Sequence, residues 1–102
     1  MPQDNFEIWI NDETKILVIR LTEKGHYVSF AVVLVLLTEG ELVQIGRFDT
    51  AHGTAHQDVF GKQAGLLQKI WLDHLSPRQA FKLAISTFEE NHERIRSQYF
   101  AN

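Results

Sequence analysis

Hydrophobic and polar positions alternate early in the chain. In "FEIWI", Phe6, Ile8 and Ile10 fall on one side of an extended segment. "KILVIRL" follows the turn-like "NDET", and "TEKG" separates it from "HYVSFAVVLVLLT", a long β-branched and aromatic run. Glu39-Gly40 is short enough for a tight hairpin, with glycine free to take positive φ. "ELVQIGRFD" is the next strand, and "HQDVF" with "LLQKIWL" predicts a final hairpin across "GKQAG". Each link is too short for a parallel crossover, so the connections are antiparallel. The period then changes. Ser76, Pro77 and Gln79 form an N-cap, an N1 proline and a capping-box partner. Beyond them Phe81, Ala84, Ile85, Phe88, His92, Ile95 and Tyr99 recur at helical spacing. Glu90 and Arg94 suit an i,i+4 pair, and Arg94 and Arg96 are expected near the negative helix end. The fold class expected is α+β: an antiparallel β-meander of five or six strands with one long C-terminal α-helix on one face.

One helix covers only one face of such a sheet. The strand from Tyr27 to Leu37 is nevertheless apolar on both: Val28, Phe30, Val32, Leu34 and Leu36 on one side, Ala31, Val33, Val35 and Leu37 on the other. A strand of this kind is usually buried twice over. Sheet curl or a partner subunit must cover the second face, and self-association into a homo-oligomer is the expectation.

Composition narrows the classes. A chain of 102 residues forms one domain with a single core. Its net charge of −3 supplies no global attraction to nucleic acid or membrane, so RNA contact would need a local patch. With no cysteine, disulfides and thiolate metal sites are excluded. The polar N-terminus is unlike a signal peptide, and the apolar run "VVLVLL" is far short of a span of ~20 residues. A cytoplasmic protein without membrane contact is expected.

Candidate chemistry gathers in "RFDTAHGTAHQDVFG", residues 47–61. On a strand Arg47 and Asp49 point to the same side, as do His56 and Asp58. Between them "TAHGTA" holds only small residues and His52, so backbone can approach a ligand closely. Three functional readings fit. In a metal-free, cofactor-free ribonuclease, His52 and His56 move protons and Arg47 stabilises the phosphorane, with Asp49 completing the catalytic set. Thr50, Gly53 and Asp58 would then line the binding edge. In a metal site, His52, His56 and an aspartate make three ligands with one position open. In the third reading the loop recognises a protein. The plain structural alternative is an in-strand Arg47–Asp49 ion pair with histidines capping loop backbone. His26, His74 and His92 suit a hairpin, an exposed loop and a part-buried helix stripe, and Trp9 and Trp71 suit a core or an oligomer contact.

The pattern R-x-D-x-x-x-G-x-x-H, carried by Arg47, Asp49, Gly53 and His56, resembles that of small prokaryotic proteins related to TumE-type toxin components. The likeness spans roughly residues 26–100 and includes the helical tail from "SPRQAFKL" onward. Where those proteins carry a closer H-x-H pair, Gln57 and Asp58 follow His56 here. The resemblance implies a toxin–antitoxin setting, with RNA as target and an antitoxin protein as partner.

Overall fold

The computed structural model describes residues 3–51 and 53–102. Six strands run in chain order: β1 (Gln3–Trp9), β2 (Thr14–Glu23), β3 (His26–Thr38), β4 (Glu41–Ala51), β5 (Thr54–Gly61) and β6 (Gly65–Trp71). They form one antiparallel sheet of order β1-β2-β3-β4-β5-β6, and the helix α1 (Pro77–Ala101) packs across β3, β4 and β5. The α+β meander is as expected. Lys24-Gly25 and Glu39-Gly40 all carry positive φ, the backbone that two-residue hairpins need to match strand twist.

Alternation sorts the side chains into two faces. Ile16, Val18, Phe30, Val32, Leu34, Leu36 and Phe48 are buried in one cluster with Ala80, Phe81, Ala84 and Phe88 of α1. Phe48 meets Phe88 edge-on at 5.2 Å, and Phe30 meets Phe81 at 5.6 Å. A bulge in the β3–β4 pairing turns both Ile45 and Gly46 toward the helix. A Cβ on Gly46 would stand 3.0 Å from Phe88 Cε1, so the missing side chain sets how closely α1 approaches.

The helix is fixed at both ends. Ser76 Oγ accepts from Gln79 N while Gln79 Oε1 accepts from Ser76 N, the reciprocal box expected from sequence. At the far end the β5–β6 turn donates Lys62 N to Tyr99 O and Ala64 N to Asn102 O, satisfying carbonyls that a free helix leaves open. The last turn holds no basic residue, which corrects the role expected of Arg94 and Arg96. Arg96 instead pairs with Glu13 at 3.1 Å, and Arg94 lines a cleft of about 250 Å³ between α1 and β4–β6. At the opposite edge Arg20 donates to Asp4 and to the Tyr27 hydroxyl, and these partners, Asp4 first, raise the guanidinium pKa.

The second sheet face has no layer over it among the described residues. Val35 is buried there and Ala31 and Val33 are half-buried, while Ile19, Leu37 and Leu42 are exposed. Only the middle of the two-sided strand is therefore shielded among the described residues. No helix is long and apolar enough to cross a membrane.

Candidate functional site

Pairing register builds a polar cluster on this open face. β4 runs to Ala51 and β5 starts at Thr54, so the connection is much shorter than the "TAHGTA" loop expected. The tight turn sets Asp49 opposite His56 and Arg47 opposite Asp58. β6 extends the two rows, placing Trp71 beside His56 and Lys69 beside Asp58. Continued across the sheet, one row reads Glu7–Leu17–Val33–Arg47–Asp58–Lys69 and the next Asn5–Ile19–Ala31–Asp49–His56–Trp71. The open face is thus mainly apolar over β2 and β3, Lys15 excepted, and charged over β4 to β6.

Within the cluster the contacts are short. Arg47 Nε donates to Asp49 Oδ2 at 2.5 Å and Arg47 Nη1 to Gln44 Oε1 at 3.3 Å. His56 Nε2 lies 2.6 Å from Asp49 Oδ1 and 3.6 Å from Asp58 Oδ2, and Lys69 Nζ is 3.7 Å from Asp58 Oδ1. Distance and direction disagree at the first of these. Asp49 Oδ1 has no hydrogen-bond partner among the described residues although Nε2 is so near, because the N–H does not point at it. Asp58 Oδ1 and His56 Nδ1 are buried and equally without partner. Unpaired buried polar atoms of this kind are uncommon and costly.

Four of the expected residues, Arg47, Asp49, His56 and Asp58, therefore converge on one face. The expected in-strand Arg47–Asp49 ion pair is present as well. Four expectations need correction or restriction. As a proton-moving catalytic residue His56 would need to reach its substrate, yet it is 3% exposed, its ring tilted against Trp71 at 5.1 Å between centroids. Thr50 faces the helix side, where its Oγ1 accepts from Phe30 N, so it does not belong to the cluster. Gly53 sits exposed in the turn with φ +81 and contributes conformation only. His52 lies outside the described residues, and with it the proposed His52–His56 ligand pair. Lys69, Trp71 and Gln44 were not anticipated. The K-x-W spacing in β6 would have found the first two once β6 was aligned on β5.

Asp49, His56 and Asp58 each offer one ligand-type atom, all within 4.8 Å of one another. What the arrangement can do is hold a cation, pair charges across an interface, or present a chained Arg–Asp–His relay. A family model described as Domain of unknown function (DUF7718) matches residues 1–102. No curated protein and no solved structure matches the chain.

Proposed function

The chain belongs to the DUF7718 family, a domain of unknown function, and we propose from its geometry that it is a protein-interaction module whose open sheet face binds a second copy. The observation that carries this reading is the uncovered apolar surface: Trp9 is 57% exposed, Ile19 47% and Leu37 41%, all on the same face. Large contiguous apolar surface of this kind marks interaction sites. Charge order selects a second copy as the occupant. A two-fold axis along the strands between β2 and β3 sets β1 of one copy over β4 of the other. In that arrangement Leu17 meets Val33, Ile19 meets Ala31, the Lys15 stem lies over Val35, and Glu7 meets Arg47, which sets apolar pairs at the centre and complementary charges at the rim. Sedimentation or light scattering tests the reading. Wild type is expected as a dimer at micromolar concentration, and Ile19→Arg as a folded monomer. A monomeric wild type, or an Ile19→Arg protein still dimeric, rejects it.

RNA cleavage of the toxin type is a second reading, favoured by one observation. Arg47, Asp49 and His56 are chained in that order beside a half-exposed Trp71, with an exposed Lys69 over its ring at 5.6 Å. An aromatic face flanked by cations can stack a base and hold a phosphate. It ranks second because His56 lies under Trp71, with Nε2 2.6 and 3.6 Å from two carboxylates. On mixed RNA this reading expects cleavage that survives EDTA and slows by ~10²- to 10⁴-fold in His56→Ala, the range for losing a general acid or base. Wild type leaving RNA intact rejects it. An antitoxin partner belongs to this reading alone.

A further inference from the structure

We propose that Asp49, His56 and Asp58 form a binding site for one divalent first-row transition ion, independent of whether the open face dimerises. The argument starts from what these side chains lack. His56 has a side chain 4% exposed, and it aims Nε2 between the carboxylates of Asp49 and Asp58. Asp49 Oδ1 and Asp58 Oδ1 are buried and make no hydrogen bond among the described residues, Lys69 Nζ standing 3.7 Å from Asp58 Oδ1 as an ion pair only. A buried oxygen without a hydrogen to accept on each of two neighbouring carboxylates is a configuration that a cation resolves.

The surrounding groups hold the carboxylates from behind. Arg47 Nε takes Asp49 Oδ2, which leaves Oδ1 turned to Nε2. Such outer contacts orient ligands in established metal sites. Register supports the same placement, because His56 is the direct cross-strand partner of Asp49 and Asp58 is two residues along the same strand. All three side chains are thus carried by sheet backbone rather than by a loop.

Distances are compatible with a small ion. Bonds of about 2.0–2.2 Å to nitrogen and oxygen put neighbouring ligand atoms roughly 3.3 Å apart in a tetrahedron. The 3.6 Å separation of Nε2 from Asp58 Oδ2 already fits, and the 2.6 Å separation from Asp49 Oδ1 widens by less than the width of one atom. One imidazole with two carboxylates suits Zn²⁺ or Mn²⁺, and three ligands leave a position open.

Zn²⁺ is the probe, titrated calorimetrically into the untagged full chain. One ion per chain with micromolar or tighter affinity is expected. Asp58→Asn, which keeps the side-chain shape, is expected to weaken binding at least tenfold, as is His56→Gln. His74→Ala, an exposed histidine, is expected to leave binding unchanged. Circular dichroism checks each variant, and Asp58→Asn decides alone if His56→Gln fails to fold. Absence of binding at millimolar Zn²⁺, or binding that both site variants retain, overturns the proposal.

Discussion

His56 and Gly46 show how much one position can depend on residues far along the chain. His56 is buried because Trp71, at the end of the next strand, lies against its ring. Gly46 is tolerated at a bulge because Phe88 needs the space. Adding a methyl there forces Phe88 from its seat against Phe48 or lifts the helix. Gly46→Ala is therefore expected to destabilise by about 1–3 kcal/mol, the usual cost of overpacking a filled core. Urea denaturation measures it, and an unchanged midpoint would mean that the ring gives way freely. Same-side placement of Arg47 with Asp49, and of His56 with Asp58, is readable from a period of two. That the two pairs touch is a matter of register, which periodicity does not carry. A two-residue turn would have supplied the register, but "TAHGTA" reads as a longer loop because it contains no strand formers beyond threonine. Burial of His56 needs the third strand in place, so no local signal marks it.

At the scale of elements, what was legible is what is local. The N-terminus of α1 is written in four consecutive residues, Ser76 to Gln79, whose side chains bond each other's backbone. Ser76→Ala removes the acceptor for Gln79 N and leaves the rest of the box unanchored. It is expected to cost about 1 kcal/mol, within the span of roughly 0.5–2 measured for such caps. A thermal melt of the variant checks this, and a null effect would show that Pro77 and the packed Phe81 hold the first turn alone. The C-terminus was misjudged for a matching reason. Its carbonyls are satisfied by Lys62 N and Ala64 N from a hairpin some 35 residues earlier (roughly ten helical turns of sequence), and no side chain in the last turn announces that. The bulges at Leu21/Thr22, Leu34/Val35 and Val59/Phe60 were invisible too, since each is defined by a count of residues on two strands.

The whole molecule turns on its second face. Two-sided apolarity of β3 predicted a need for cover, and of the β3 residues on that face only Val35 gains full burial within one chain. A standard interface takes about 800 Å² from each partner, roughly an eighth of the 6220 Å² that this chain exposes. One face of a six-stranded sheet is large enough to supply it. If a second copy closes over β1 to β4, folding and association become linked, because burial of Trp9, Ile19 and Leu37 occurs only in the pair. A protein stabilised by its own partner melts higher as its concentration rises, whereas a monomer does not. Wild type is therefore expected to show a melting temperature that climbs steadily with concentration. In Ile19→Arg the midpoint should be independent of concentration and close to the wild-type value at the greatest dilution, since Ile19 contributes nothing to the helix-side core. A wild-type midpoint that stays constant across that range means each chain carries its exposed apolar face alone. Val35 would then be buried by its own chain only, and the polar cluster over β4 to β6 would have to account for the function without the apolar half of its face.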